Sequence, residues 1–266
     1  MMKKKLYLIS FLIIFFSIIY LNSDGYRYTG VNYVVKEYKI TNFQKLSEFY
    51  ERHLNYKKLV KEITYKSKSK QERIIDISTW VYKNIKKVSI KDDIVDNHPW
   101  TIVERKIGTV GQFSDILSVL LVHNDIDSFF NSIKINNTFH LILKTTNHPI
   151  TFFKYNTEWS IIDPYYGIYF TNTKKSFSSL EEIKDNDSIM QHLVFDKITS
   201  KNLNEIFFDK NFKNIQELND YYKILLLKIP SSKIINETNI YERGGRSYIQ
   251  KPLHRILVQL KKLSKI

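Results

Sequence analysis

The chain has 266 residues, no cysteine, and 41 Lys and Arg against 27 Asp and Glu, a formal net charge of +14. That length can bury one sizeable core with an appendage, and the missing cysteine excludes disulfide frameworks, cysteine-ligated zinc and a thiol nucleophile. The charge favours acidic surfaces, but the lysines are scattered and no zinc-finger, RNA-recognition or helix-turn-helix pattern accompanies them, so no specific nucleic-acid motif is read.

Lys3, Lys4 and Lys5 precede an apolar run from Leu6 to Leu21, which Asn22-Ser23-Asp24-Gly25 ends. Residues 1–22 therefore read as a membrane anchor or signal segment. The large residues Ile19, Tyr20 and Leu21 offer no small-x-small cleavage site, which favours an anchor through residues 6–21; a cleaved segment would make the protein secreted. The lysines place the N-terminal side in the cytoplasm and the bulk of the chain outside it. Residues 23–66 read as a connecting helical region, with helical spacing at Phe43, Leu46, Phe49 and Tyr50. Ser69 and Glu72 are spaced as a capping box ahead of Ile74, Ile77, Val81 and Ile85, which predicts a helix. A polar loop over Lys91 to Asn97 and a short helix at Trp100 to Glu104 lead to Gly108.

From Val110-Gly111 the spacing Phe113, Ile116, Leu117, Leu120, Leu121 predicts a helix with one buried face. Short apolar stretches follow at Ser128–Ile135, Thr138–Lys144, Ile150–Tyr155 and Glu158–Asp163. Asn136-Asn137, Asn147-His148-Pro149 and Asn156-Thr157 separate them, so they read as antiparallel strands. Residues 67–172 thus form an α+β core, helices followed by an antiparallel sheet. Residues 173–266 read as a mainly helical extension. Within it Tyr221–Ile229 fits a strand or a buried helix, and Pro252 opens a basic amphipathic helix that packs on the domain or lies on a membrane surface.

Three pieces carry chemistry in order: Gly108-Thr109-Val110-Gly111-Gln112-Phe113-Ser114 at a helix start, His140 on a strand, and Trp159-Ser160-Ile161-Ile162-Asp163-Pro164 on a later strand. Thiol acyl transfer needs a cysteine at a helix N-terminus, a histidine beside it and a carboxylate to orient the imidazole. Over roughly Glu72 to Phe170 the chain resembles the transglutaminase-like superfamily, with its papain-like core. The resemblance implies a triad of which His140 and Asp163 remain, and it puts Val110 at the nucleophile position. Deleting a triad nucleophile costs on the order of 10⁶-fold in rate. Gln112 and Trp159 beside this frame, and Arg243 and Arg246 around Gly244-Gly245, are the candidate ligand-binding residues. His98, His123, His140 and His148 show no metal-ligand spacing, and no metal or cofactor is expected.

Three functions compete. The leading one is a membrane-anchored, extracytoplasmic pseudoenzyme, a binding or scaffold component of the bacterial cell envelope with a protein or acidic glycan partner. The second is an active hydrolase or acyltransferase with another nucleophile, which requires Ser114 or Thr109 within about 4 Å of His140. The third is binding of a polyanion, whether glycan, lipid or nucleic acid.

Overall fold

A computed structural model describes residues 2–31, 34–88, 98–134, 147–185, 188–199, 201–207, 212, 214–237, 247 and 249–263. The chain opens with helix α1 (Met2–Asn22), whose described apolar side chains, from Tyr7 to Tyr20, are exposed. Among the described residues no helix is long and apolar enough to cross a membrane.

Residues 23–66 are not helical throughout, because a hairpin comes first. Strands β1 (Asp24–Val31) and β2 (Val34–Thr41) pair antiparallel from Asp24↔Thr41 to Val31↔Val34. Alternating aromatic and β-branched residues suit a strand pair here. The interleaved charges mask that alternation when the segment is scanned for helix. Helix α2 (Asn42–Ile63) then starts on a capping box in which the Thr41 hydroxyl accepts from Gln44 N–H and the Gln44 side chain accepts from Thr41 N–H. Phe49, Tyr56 and Val60 form its buried face.

Helix α3 (Lys70–Asn84) begins where expected, with Ser69 Oγ accepting from Glu72 N–H. The Glu72 carboxylate reaches past the cap to Lys68 N–H at 2.6 Å, so the box closes one residue early. A short parallel pair, β3 (Lys86–Lys87) with β4 (Ile107–Gly108), brackets helix α4 (Pro99–Arg105), and β4 feeds directly into helix α5 (Val110–His123).

The described strands β5 (Ser128–Lys134), β6 (Asn147–Tyr155), β7 (Glu158–Asp163), β8 (Ile168–Thr171) and β9 (Ile189–His192) form one antiparallel sheet in chain order. The expected meander is present, while the strand read over 138–144 lies outside the described residues. β6 and β7 are buried almost without alternation. Both faces are covered, which a period-2 pattern cannot reveal. Alternation along β6 turns Pro149 and Thr151 toward α5: a Cβ on Gly111 would sit 3.8 Å from Pro149 Cγ, and Thr151 Oγ1 donates to Ser114 O at 3.2 Å. The opposite face meets the C-terminal extension, which contains α6 (Leu180–Lys184), α7 (Leu203–Ile206), α8 (Ile215–Leu227), α9 (Ser232–Glu237) and α10 (Pro252–Leu263). Tyr221–Ile229 proves mostly helical, contributing buried Tyr221, Tyr222, Leu225 and Leu226 to one apolar core with α3, α5 and the sheet.

Candidate functional site

The helix start at Val110 is built by backbone capping. Thr109 is extended as N-cap, and the Gln112 side-chain oxygen turns back to accept from Thr109 N–H at 3.0 Å and from Arg105 Nη2 at 3.1 Å. Gln112 is therefore a buried cap, with its carbonyl committed to the helix end rather than offered to a ligand. Gly108 is needed for close approach, since a Cβ there would lie 3.1 Å from Ile85 Cγ2 and 3.4 Å from Ile102 Cγ2. Val110 occupies the first helical position and packs against the core. An apolar side chain at this place has no lone pair to offer.

Asp163 is the hub of a buried polar cluster. Its Oδ2 lies 2.6 Å from His148 Nε2 and accepts from the Tyr222 hydroxyl at 2.8 Å, while Oδ1 accepts from Tyr165 N–H and Tyr166 N–H, each at 3.2 Å. His148 Nδ1 lies 2.7 Å from the Tyr221 hydroxyl. With the carboxylate ionised, Nε2 carries the proton and Nδ1 accepts from Tyr221, so both ring nitrogens are engaged. His148, Asp163, Tyr221 and Tyr222 are each at most 2% exposed. Burial and the neighbouring carboxylate push the Tyr222 phenol well above its ordinary pKa, so it stays a hydrogen-bond donor.

Asp163 is thus paired with His148. His140, the partner read from the sequence, lies outside the described residues. The signal for His148 was present in the strand reading itself. The two-residue turn Asn156-Thr157, with Asn156 at φ 55°, fixes the register Tyr155↔Glu158 and Thr151↔Ile162. Counting back along that register puts Ile150 opposite Asp163, with His148 two residues further along on the same face. Asn147-His148-Pro149 looked like a strand break because proline disfavours strand interiors. The structure tolerates it near the first residue of β6.

The other candidates separate clearly. Trp159 is fully buried, donates from Nε1 to Asn236 Oδ1 at 2.8 Å and packs edge-on against Phe129, so it presents no surface to a ligand. Arg243 and Arg246 lie outside the described residues. Ser114 is buried on the α5 face, and its hydroxyl has no hydrogen-bond partner among the described residues, whereas His148 turns to α8. A relay from Ser114 to His148 is therefore not formed. Among the described residues no group of three or more His, Asp or Glu gathers as a metal site.

The loop after Asp163 is held by Gly167 at φ 72°, where a Cβ would meet His192 Nε2 at 2.9 Å and Tyr82 Cε2 at 3.0 Å. Both the positive φ and the aromatic wall demand glycine. Gly167→Ala is expected to lose about 1–3 kcal/mol of stability, read as a lowered urea midpoint with an unchanged slope. Beside this loop Lys87 Nζ lies 4.5 Å from the Tyr82 ring centroid and 5.3 Å from that of Tyr165, a cation–π contact that closes the corner near β4.

An open cavity of about 640 Å³ lies on the far side of Tyr222, between β8, β9 and α8. Phe170, Ile183, Leu218, Tyr222 and Leu226 line its floor, and Lys197 and Lys223 stand among its exposed polar residues. The Tyr222 ring is therefore a wall between cavity and carboxylate.

No protein-family model matches the sequence, and no curated protein matches it significantly. Solved structures give remote likenesses. A "Putative Cysteine Protease from Cytophaga hutchinsonii" aligns with TM-score 0.36 and 13% identity, covering 53% of this chain and 42% of its own. A "TGase" aligns with TM-score 0.33 and 11% identity over 52% and 43% of the two chains. A "putative protease from Parabacteroides distasonis ATCC 8503" aligns with TM-score 0.33 and 13% identity over 54% and 36%. The aligned part spans less than half the length of each of these neighbours.

Proposed function

We propose that this chain is a membrane-anchored, extracytoplasmic domain of transglutaminase-like descent that has lost catalysis and serves as a binding or scaffold component of the cell envelope. The observation that carries the inert reading is the occupancy of His148. A general base must offer a free nitrogen to the group it deprotonates. Here Asp163 holds one nitrogen, Tyr221 holds the other, and the ring is sealed in the core facing α8. Val110 removes the nucleophile at the helix start. What the site retains is the stabilising half of a catalytic pair, with the reactive half replaced by a phenol and a valine.

Binding is the role the remaining surface supports. The cavity beside Tyr222 has an apolar floor and exposed lysines among its lining residues, the composition of a site for a partner side chain or small amphiphile. Anchoring is supported by Lys3–Lys5 ahead of the exposed apolar helix α1.

Restoring the thiol tests the inert reading. The full chain carrying Val110→Cys is expected to release no ammonia from a glutamine peptide and to cleave no peptide. Its thiol is expected to alkylate with the pH dependence of an ordinary helix-terminal cysteine. Turnover by Val110→Cys, or by the unmodified chain, would overturn the proposal.

A further inference from the structure

Among the described residues, 21 of the 27 large apolar side chains that are exposed lie on α1, β1, β2, α2 and α10. The other six, Tyr65, Ile107, Ile189, Val194, Leu227 and Ile234, are scattered over the remaining elements, as on most soluble surfaces. The concentration is organised. On α2 the exposed Phe43, Leu46, Tyr50 and Leu54 follow i, i+3, i+7, i+11, which makes a second apolar stripe beside the buried one. On α10 Leu253, Ile256 and Leu257 are exposed, and Arg255 stacks over the Phe49 ring of α2 at 4.6 Å. Tyr26 and Tyr38 of the hairpin are exposed as well.

These elements are tied to α1. Asn42, at the start of α2, donates from Nδ2 to Tyr20 O at 3.2 Å and to Ser23 Oγ at 3.0 Å, and its backbone N–H donates to Ser23 O at 3.1 Å. Gly25 leaves room for that side chain, because a Cβ there would lie 2.7 Å from Asn42 Oδ1. Lys45 Nζ donates to Tyr26 O at 3.0 Å, joining hairpin to helix. The junction from α1 into the domain is therefore clamped by hydrogen bonds.

We infer that the hairpin, the outer stripe of α2 and the exposed edge of α10 form a face that rests in the interfacial zone of an anionic lipid bilayer, continuous with the inserted α1. This inference rests on the anchoring reading. Tyrosines suit the boundary where one end of a side chain is apolar and the other wet. The charge of these elements is net basic: among their described side chains Arg27, Lys39, Lys45, Arg52, Lys57, Lys58, Lys61 and Arg255 stand against Asp24, Glu37, Glu48, Glu51 and Glu62, with Lys39 paired to Asp24 and Arg27 and Arg52 sharing Glu48. Anionic headgroups would draw such a face down.

The absence of native cysteine makes every introduced cysteine a unique label site. Four full-chain variants, Phe11→Cys, Tyr50→Cys, Leu257→Cys and Leu227→Cys, would carry an environment-sensitive fluorophore. They would be reconstituted into phosphatidylcholine vesicles with and without phosphatidylglycerol. The expected result is a blue shift and quenching by lipid-borne quencher for the labels at 11, 50 and 257, stronger with the anionic lipid at 50 and 257, and neither effect at 227. A quenched label at 11 with water-exposed labels at 50 and 257 would overturn the face and leave the anchor standing. A water-exposed label at 11 would overturn both. Blue shifts at 50 and 257 that appear without lipid and vanish on dilution would assign the face to a second copy of the chain and overturn the inference.

Discussion

Asp163→Ala should cost about 3–5 kcal/mol of stability, a large part of the ~5–15 kcal/mol that holds a domain folded. The carboxylate accepts from His148, Tyr222 and the backbone N–H groups of Tyr165 and Tyr166, all of them buried. Removing the acceptor leaves those donors in a dry core with nothing to replace water. Asp163→Asn keeps one oxygen but presents an NH₂ to a ring nitrogen and a hydroxyl, and should lose about 1–3 kcal/mol. Tyr222→Phe should cost about 1 kcal/mol alone and much less in the Asp163→Ala background, because the bond it removes is already gone. Equilibrium urea unfolding followed by fluorescence of Trp80, Trp100 and Trp159 reads all three. In a working active site the same substitution mainly costs rate, and is often neutral or favourable for folding, since strained charged groups are held there for function. Asp163→Ala unfolding at the wild-type midpoint would show that the cluster is not what holds this face of the sheet.

Much of this arrangement can be read from residues. Helices α3 and α5 follow from apolar spacing of three to four with a serine or glycine start, and β6 and β7 from apolar runs around Asn156-Thr157. Those signals are local. What escaped depends on partners distant in sequence. The hairpin at β1 and β2 has alternation too short and too charged to stand out from its surroundings. His148 looked like part of a turn because its neighbour is proline, and only the register of β6 against β7 brings it to Asp163. The sealing of the pair could not be read at all. Tyr221 and Tyr222 lie 58 and 59 residues beyond Asp163, in a segment whose period left helix and strand both open. A valine at the helix start is visible in the sequence, but a phenol on the other side of His148 emerges only when α8 packs on the sheet.

Acidification should destabilise the domain between about pH 6.5 and pH 4, well before most carboxylates titrate. His123 is buried between α2 and α5, and burial holds its pKa down to about 3. Its Nδ1–H donates to Val119 O at 2.8 Å, which leaves Nε2 bare to accept from His53 Nδ1 at 3.2 Å. Protonating Nε2 would set two donors against each other, with Lys251 adding repulsion and Asp125 only partly offsetting it. His192, at the end of β9, is held at about 4 by burial, and its Nδ1 accepts from Val194 N–H and Phe195 N–H at 3.0 Å each. For both groups the folded state disfavours the proton that the unfolded chain accepts near 6.5. Their contribution is therefore complete above that value and is lost as pH falls toward the folded pKa values. At pH 4.5 each costs roughly 2–3 kcal/mol relative to pH 7, about 5 kcal/mol together. Thermal melts from pH 7.5 to 4 should show a falling midpoint with the steepest loss below 6. His123→Phe, which fills the same space without a titrating nitrogen, should flatten that slope by about one proton's worth, whatever it does to the midpoint at pH 7.5. A midpoint constant from pH 7.5 to 4 would mean that both rings find compensating partners on protonation.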